Sequence, residues 1–520
     1  MVLQILLIVA FFAVMVGVGV YCRRHSTDVS GFVLGGRAVG PWLTAFAFGT
    51  SYFSAVIFVG YAGQFGWSFG LASTWIGLGN AFIGSLLAWV VLGRRTRVMT
   101  QYLDSKTMPD FFDRRFGSKN LRIIASVIVF IFLIPYTASL YNGLSSLFNM
   151  AFSMPYWLVI VIMAALTALY VIFGGYMATA INDFIQGIIM LFGIVAVIAS
   201  VLTQNGGFME SMNKLSQIDT GTALNGGFTA FLGPDPLALL FVVILTSLGT
   251  WGLPQMVGKF YAIKSEDAVK KGTIISTAFA IIVAGGCYFL GGFGRLYADQ
   301  VVNEAGKVNF DAIVPTMLSG LPSIIIAIVI VLVLSASMST LSSLVLTSSS
   351  TLALDVVIPA TKKEVGEKKQ VFIMRIFIVF FIIVSAVIAI VKDTFGFTFI
   401  AQMMGVSWGA LAGAFLAPFL YGLYWKRTTK AGVIASFITG VGIELVQLYI
   451  SLSGNNFGAP VLKYIFTSSV RSGAIAMLVG FIVVPLVSIC TKAPDKKKVD
   501  AIFANYENKV TVTRKENLGE

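Results

Sequence analysis

The amino-acid sequence predicts an all-α polytopic membrane protein. Of its 520 residues, 57% are hydrophobic and only 11% are charged, whereas soluble domains carry about 25% charged residues. The hydrophobic residues fall into many runs of about 20, which is the length that a helix needs to cross the hydrocarbon core of a bilayer. Composition and run length together exclude a soluble globular protein, and three cysteines in 520 residues exclude a disulfide-rich scaffold.

Thirteen apolar segments are long enough to be transmembrane helices, and we number these predicted spans 1 to 13 in chain order. They cover residues 2–22, 40–64, 72–93, 122–148, 156–174, 181–203, 236–262, 272–294, 321–356, 371–391, 398–424, 431–453 and 472–490. Span 1 is predicted to be a retained helix and not a signal peptide, because its arginines follow the apolar run instead of preceding it.

The basic residues are distributed very unequally between the predicted loops. With the amino terminus placed outside, 30 of the 36 Lys and Arg residues, Lys259 among them, fall in loops on the inside. This asymmetry is the positive-inside rule. It predicts a multi-pass protein of the plasma membrane with an outside amino terminus and a cytoplasmic carboxyl terminus. It also explains the net charge of +13 without a nucleic-acid partner.

Two predicted spans contain matching interruptions. Span 2 carries Gly49–Ser54 and span 7 carries Gly249–Pro254, each a mixture of glycine, hydroxyl and aromatic residues. Five spans separate their starts, so the two spans run in opposite directions, as in an inverted repeat of spans 2–6 and 7–11. Irregular backbone at membrane depth is tolerated where it lines a cavity or a binding site. The alternative is that both spans are kinked but continuous helices that pack through small residues.

Span 9 is unusually rich in hydroxyl groups. Eleven of the seventeen residues from Ser335 to Thr351 are Ser or Thr. Hard cations prefer oxygen ligands, so some of these hydroxyls are candidates for binding sodium. The alternative is that they bond only to the carbonyl one turn back along the same helix.

Few ionisable residues lie within the predicted spans. Asp183 in span 6 is a candidate for ion exit, although helix N-capping is an equal alternative, and Glu444 in span 12 receives no role. One histidine and three scattered cysteines provide no ligand set for a transition metal. The chain also contains no phosphate-binding loop of the G-x-x-x-x-G-K-[ST] type. No catalytic residue is predicted, and the protein is not expected to be an enzyme.

Four motifs together resemble the sodium:solute symporter family. The motifs are Leu34–Arg37 with Gly40 and Pro41, Gly174 and Gly175 through Asp183 and Gln186, Met338–Ser342, and Gly422–Arg427 with Gly432. The similarity extends from about residue 1 to residue 490, and the nearest branch is that of the sodium/proline symporters, with the pantothenate carriers also similar.

The resemblance implies a LeuT-like 5+5 inverted repeat with one extra helix before it and two after it. The implied divisions are 1–39 (first helix and cytoplasmic turn), 40–203 (first repeat), 204–235 (extracellular loop), 236–424 (second repeat), 425–490 (helices 12 and 13) and 491–520 (cytoplasmic tail).

The resemblance also implies the site residues. The sodium ligands would be the carbonyl groups of Thr50, Phe53 and Ala336 with the hydroxyl groups of Ser339 and Thr340. Arg37 and Asp183 match positions that the family uses for ion coupling or exit. The solute would lie near Ser54, Tyr136, Thr250, Trp251 and Pro254. The sequence departs from the proline branch at Tyr52, where that branch has aspartate, and at Thr246 and Thr250, where it has tryptophan and tyrosine.

The expected function is sodium-coupled import of a small organic solute by alternating access, with Na⁺ as the coupling ion. Proline, another amino acid or a small carboxylate is the expected solute. A proton-coupled symporter of the same fold and a sodium-coupled pantothenate or monocarboxylate carrier are the alternatives. The expected partners are the solute and the lipid bilayer, with no nucleic acid and no obligatory protein partner.

Overall fold

A computed structural model describes residues 2–23, 26–152, 154–220, 227–361, 364–391, 400–454 and 457–507. In these ranges the chain is helical, and β-structure is limited to two isolated bridges. Parts of the predicted extracellular loop (221–226), the start of span 11 (398–399) and the end of the tail (508–520) lie outside the described residues.

The α-helices follow the predicted spans closely. Those of the first half are α1 Val2–Cys22, α2 Val29–Leu34, α3 Pro41–Tyr52, α4 Ala62–Phe69, α5 Thr74–Gly79, α6 Arg94–Tyr102, α7 Met108–Phe116, α8 Lys119–Phe152, α9 Tyr156–Gln204 and α10 Phe208–Ser216. Those of the second half are α11 Pro236–Val243, α12 Pro254–Ala262, α13 Glu266–Ala280, α14 Gly286–Gly291, α15 Ala298–Val301, α16 Phe310–Ser319, α17 Ser323–Leu352, α18 Ile358–Ala360, α19 Glu367–Ile390, α20 Ile400–Tyr424, α21 Lys430–Ser453, α22 Pro460–Phe466, α23 Ser469–Cys490 and α24 Lys496–Ala504.

Short π-helical and 3₁₀ segments connect several of these helices. The π-helical segments are Val56–Tyr61, Asn80–Leu87, Trp89–Gly93, Ile244–Leu248, Ile281–Gly285 and Ala353–Val357, and the 3₁₀ segments are Gly35–Arg37, Gly70–Ser73, Gly249–Gly252 and Gly294–Tyr297.

Among the described residues, ten helical stretches are long and apolar enough to cross a membrane, or eleven if the bent pair Pro236–Gly252 and Pro254–Ala262 counts as one span. The stretch Tyr156–Gln204 has 49 residues, about 70 Å of helix, which is more than twice the hydrocarbon thickness. Gly175 interrupts it with a φ of 54°, and a Cβ at this position would lie 2.8 Å from the Phe32 carbonyl oxygen. The interruption separates the segments predicted as spans 5 and 6.

The basic loops converge at one end of the helix bundle, which we term the basic end. It is defined by Arg94, Arg97, Arg115 and Lys426. There the Arg97 side chain donates to the Lys264 carbonyl at 2.8 Å, and Arg115 donates to the Gly422 carbonyl at 3.0 Å. Loops that are far apart in sequence but share a predicted side therefore meet in the structure.

The two interrupted helices run in opposite directions. The Val39 amide donates to the Ala262 carbonyl at 3.2 Å, and the Lys264 amide donates to the Val39 carbonyl at 3.0 Å. The start of α3 and the end of α12 therefore lie side by side at the basic end. Because α3 has 12 residues and α12 has 9, both interruptions lie about 14–18 Å from that end, near the middle of a bilayer core. The predicted opposite orientation is confirmed.

Candidate functional site

The first interruption begins where α3 ends. Pro41 begins the helix, as proline favours the first helical position, and the helix ends at Tyr52. Phe53 is extended, with φ −80° and ψ 121°, and helical structure resumes only after Ser54. Carbonyl groups in the last turn of a helix have no amide donor four residues further on. The predicted interruption of span 2 is confirmed, and it exposes main-chain oxygens in the middle of the protein.

Two hydroxyl groups of α17 face these oxygens. The Ser339 hydroxyl oxygen lies 3.2 Å from the Thr50 carbonyl oxygen and 3.1 Å from that of Ala336. The Thr340 hydroxyl oxygen lies 3.1 Å from the Thr50 carbonyl oxygen and 3.3 Å from that of Phe53. It is also 3.1 Å from the carbonyl oxygen of Ala336. All five residues are buried. The structure thus brings together every atom that the resemblance implied as a sodium ligand, and we term them the five-oxygen cluster.

The oxygens of the five-oxygen cluster can accept more hydrogen bonds than the cluster has protons to donate. Its three carbonyl groups carry none and its two hydroxyl groups carry one each. Oxygen ligands typically lie about 2.4 Å from a hard cation. Two such oxygens at right angles to each other around the ion are then about 3.4 Å apart. The observed separations of 3.1–3.3 Å are close to that value, so the donor set fits a hard monovalent cation.

Other hydroxyl groups of α17 make local contacts. Ser342 donates to the Ser339 carbonyl at 2.9 Å, and Ser350 donates to the Leu346 carbonyl at 2.6 Å. For these two residues the alternative of bonding within the helix is correct. Ser339 and Thr340 differ because their hydroxyls also reach α3.

The second interruption has a different pattern of hydrogen bonds. A 3₁₀ turn precedes Leu253, which is extended with φ −85° and ψ 120°, and Pro254 then begins α12 at a bend of 45°. A proline disfavours helical geometry in the residue before it. The Leu253 amide donates to the Thr250 carbonyl at 3.4 Å, and the Leu253 carbonyl accepts from Val257 at 3.0 Å. The predicted interruption of span 7 is confirmed, and backbone amides bond the carbonyl groups of Thr250 and Leu253.

The side chains at this second interruption contact the π-helical segment Asn80–Leu87. The Thr250 hydroxyl lies 3.1 Å from the Gly84 carbonyl oxygen, and the Trp251 indole donates to the Ile83 carbonyl at 3.0 Å. These contacts hold the interruption against a neighbouring span.

A small polar pocket of about 10 Å³ lies between the two interrupted helices. Its lining residues are Phe48, Gly49, Tyr52, Asn80, Gly84, Ser85, Thr250, Met256, Ser276 and Ala280. The hydroxyl groups of Ser85 and Ser276 are 2.8 Å apart, and Asn80 accepts a hydrogen bond from Ser247 at 2.9 Å. This volume holds about one water molecule, so the pocket is closed in this conformation. Asn80, Ser85 and Ser276 were not among the predicted solute residues, and the feature that could have indicated them is their polarity within otherwise apolar spans.

The other residues predicted to bind the solute are more dispersed. Ser54 and Tyr136 are buried, and neither hydroxyl has a hydrogen bond of normal geometry to any residue in the described ranges. The Tyr136 ring packs on Trp408 at 5.9 Å between centroids, and Trp408 also contacts Tyr52 at 5.8 Å. Pro254 lines a separate cavity near the basic end. Of the five predicted solute residues, only Thr250 lines the small polar pocket.

Arg37 lies at the basic end. It has a φ of 56°, and its guanidinium group donates to the Ser105 carbonyl at 2.8 Å and to the Tyr261 carbonyl at 3.4 Å. Desolvation by burial lowers the pKa of Arg37 below its ordinary value. Arg37 therefore links the loop after α6 to the last turn of α12.

Asp183 is fully buried in α9 and lies near Lys259, a residue predicted to lie in a cytoplasmic loop. The Lys259 ammonium nitrogen is 3.7 Å from Asp183 Oδ2 and 3.0 Å from the Ser343 hydroxyl. Lys259 is only 3% exposed, so its assignment to a cytoplasmic loop is wrong. The residue lies in the last turn of α12, whose burial depends on packing with α9 and α17. N-capping by Asp183 is also wrong, because α9 resumes eight residues earlier at Gly175.

Glu444 has a partner within the bundle. The Ser472 hydroxyl donates to Glu444 Oε1 at 2.8 Å, and both side chains are buried. This bond joins α21 to α23, away from the five-oxygen cluster.

Two interrupted helices of opposite direction that meet near the middle of a helical membrane protein are typical of secondary transporters built from inverted repeats. The fold is similar to those of solved transporters. One is a substrate-bound, outward-open Na⁺-coupled sialic acid symporter, with a TM-score of 0.74 and 17% identity, covering 95% of this chain and 98% of that one. Another is a nucleobase-cation-symport-1 family transporter, with a TM-score of 0.51 and 16% identity, covering 92% and 99%.

The chain belongs to the sodium:solute symporter family, whose profile matches residues 32–440. It is 28% identical over 489 residues to the osmoregulated proline transporter OpuE of Bacillus subtilis, covering 94% of each chain. It is 30% identical over 457 residues to a sodium/proline symporter of Staphylococcus aureus, covering 85% of each. The protein is therefore a multi-pass protein of the plasma membrane, from a family of transporters and not of enzymes.

Proposed function

We propose that the protein imports proline, or another small amino acid or carboxylate, together with sodium. The observation that carries this proposal is the five-oxygen cluster, in which Thr50, Phe53, Ala336, Ser339 and Thr340 supply the ligands of the coupling ion. These oxygens are uncharged and buried, which suits a monovalent cation better than a divalent one. The named proline transporters among the relatives support the choice of solute.

Sodium couples to the solute through the position of α3. An ion held by Thr50 and Phe53 on one side and by Ser339 and Thr340 on the other favours the arrangement in which α3 and α17 lie together. Tyr52, the last residue of α3, lines the small polar pocket, so the same arrangement shapes the solute site. By reciprocity, the solute raises the affinity for sodium by the same factor, typically about 1–3 kcal/mol of coupling.

The solute site lies between the two interruptions. Thr250 and Trp251 at the second interruption, with Ser54, Tyr136 and Pro254, contribute to this site as the halves of the protein rock apart and enlarge the small polar pocket. A solute carboxylate would be stabilised by the positive end of a half-helix. Arg37 and Asp183 act on the cytoplasmic side, where sodium leaves.

The basic end supports a proposed membrane topology. With that end in the cytoplasm, the chain has 13 spans, an outside amino terminus and a cytoplasmic carboxyl terminus. Residues 40–203 and 236–424 form the two repeats, residues 1–39 and 425–490 supply the extra helices, 204–235 is the extracellular loop and 491–520 is the tail. The interruption at Gly175 supports counting spans 5 and 6 separately.

Uptake into proteoliposomes tests this function. Labelled proline should accumulate when an inward sodium gradient is imposed, and an equal potassium gradient should give only background. Competition by unlabelled amino acids, monocarboxylates and pantothenate then ranks the solutes, which separates proline from the pantothenate or monocarboxylate alternative. Equal uptake with and without sodium contradicts the proposal, and uptake driven by a pH gradient alone favours the proton-coupled alternative.

A further inference from the structure

A buried centre of two opposite charges lies between α9, α12 and α17. Asp183 is fully buried, and neither of its carboxylate oxygens has a hydrogen bond in the described part of the chain. The nearest charge is the Lys259 ammonium group, 3.7 Å away and itself 96% buried at the side chain. An isolated charge in such a place is costly, and a partner of opposite sign compensates for it. Each charged group therefore needs the other as a partner in order to remain buried and charged.

The ammonium group has the surroundings of a bound cation. Besides the carboxylate, the Ser343 hydroxyl lies 3.0 Å from the nitrogen, and the face of the Tyr176 ring lies 5.3 Å from it. A carboxylate, a hydroxyl oxygen and an aromatic face are all groups that attract a positive charge.

This centre adjoins the five-oxygen cluster. Ser343 is one helical turn beyond Ser339 and Thr340 on α17, and its hydroxyl lies 2.7 Å from that of Ser51. Ser51 follows Thr50, a member of the cluster. Ser343 therefore contacts both the ammonium group and Ser51, one turn along α17 from the five-oxygen cluster.

A cavity adjoins the charged centre. Its volume is about 50 Å³, and it is lined by Lys259, Ser343, Tyr176 and Gln255, among others. Within the part of the chain that the structure describes, both amide atoms of Gln255 and the Tyr176 hydroxyl are buried without a hydrogen bond. This volume accommodates a few water molecules, which places space for water beside the Lys259 ammonium group and the Ser343 hydroxyl.

We infer that the Lys259 ammonium is a tethered cation that occupies a second cation position, next to the proposed sodium site. Asp183 and Ser343 form this position. Because the lysine remains attached to α12, it compensates the carboxylate without being transported, and the protein binds one sodium ion. Removal of the charge at Lys259 opens the position to a second sodium ion. This inference rests on the proposed function of the five-oxygen cluster.

The test is the number of radioactive sodium ions bound per molecule of purified protein. We expect one ion for the wild type, two for Lys259→Met, and one again for Lys259→Met with Asp183→Asn. Lys259→Arg retains a charge and should bind one. Lys264→Met is the matched control, since Lys264 lies in the adjoining loop at the basic end and its removal should leave the count at one.

Two results overturn the inference: two ions in the wild type, or one ion in a folded Lys259→Met variant. If Lys259→Met does not fold, Lys259→Gln gives the same comparison, because its amide keeps a polar partner for Ser343. A wild type that binds no sodium contradicts the proposed function itself, which separates the two failures.

Discussion

The two helix interruptions are similar in depth and opposite in direction, but their backbones are bonded differently. At the first, the hydrogen-bond partners of the Thr50 and Phe53 carbonyl groups, among the residues that the structure describes, are the hydroxyl groups of Ser339 and Thr340. At the second, the carbonyl groups of Thr250 and Leu253 accept hydrogen bonds from backbone amides. The carbonyl oxygens at the first interruption can bind an ion at little cost in free energy. A hydroxyl that donates to them can rotate its proton away and offer a lone pair to the same ion.

At the second interruption, side chains bond to a neighbouring segment of the protein. The Thr250 hydroxyl and the Trp251 indole bond to the backbone of the segment Asn80–Leu87. Gly252 packs so closely on α20 that an added Cβ would lie 2.9 Å from the Ala412 Cα atom. The first interruption is therefore suited to binding an ion, whereas the second is suited to holding the solute pocket in shape. Three predictions test this division.

The largest effect is expected at the first interruption. Replacing both hydroxyls, Ser339→Ala with Thr340→Ala, removes two of five ion ligands. Since each contact with a charged group contributes about 1.5–3 kcal/mol, the sodium concentration for half-maximal uptake should rise by about 100-fold or more. A sodium titration of uptake measures it. Ser350→Ala is the control, because the described hydrogen bonds of that hydroxyl lie within α17 and its loss should change the titration little. An unchanged titration in the double variant would exclude the five-oxygen cluster as the sodium site.

A smaller effect, on stability, is expected at the second interruption. Gly252→Ala places its Cβ against backbone atoms of Ala412 and Leu416, which cannot move aside as a side chain can. Overpacking of this kind costs about 1–3 kcal/mol, so thermal unfolding of the purified protein should shift to lower temperature.

Gly258→Ala is the control on the neighbouring helix α12, because a Cβ there meets nothing within 4 Å. Gly49→Ala gives a second comparison at the first interruption, where the Cβ would meet the Phe279 ring. A side chain can move aside more easily than backbone atoms can, so this variant should be destabilised less than Gly252→Ala. The reverse order of stability would contradict this distinction between a side-chain neighbour at the first interruption and backbone neighbours at the second.

The smallest effect is expected for Trp251→Phe. The change keeps an aromatic ring but removes the hydrogen bond to Ile83, which contributes about 1 kcal/mol. The solute concentration for half-maximal uptake should rise several-fold, while sodium binding without solute stays unchanged. Solute titration and sodium binding on the same preparation measure the two quantities. A loss of sodium binding in this variant would contradict the assignment of ion binding to the first interruption and of the solute pocket to the second.

Much of the architecture could be predicted from the sequence because it depends on local properties. The apolar runs, the two interruptions and the asymmetry of basic residues are each visible within a short window. The resemblance to the family also named five residues whose oxygens meet in the structure, although Thr50 and Ser339 are 289 positions apart. Hydropathy alone could not have chosen Ser339 and Thr340 among eleven hydroxyl residues, since that choice depends on which face of α17 meets α3.

The solute region was harder to predict for the same reason. Asn80, Ser85 and Ser276 line the small polar pocket, yet nothing in their local sequence distinguishes them from polar residues that pack elsewhere. Lys259 was assigned to a loop from its basic neighbours, but it is buried against Asp183. Such pairings depend on contacts between distant segments, which periodicity and composition do not report.

The sequence by itself determined that this chain crosses the membrane many times and that two of its helices are interrupted. A bilayer admits only long apolar segments, and it tolerates free peptide groups only inside the protein. The tertiary structure alone decided which hydroxyl groups face the freed carbonyls and which lysine compensates Asp183. Those choices depend on the angle and height at which separate helices pack, and no single segment carries that information.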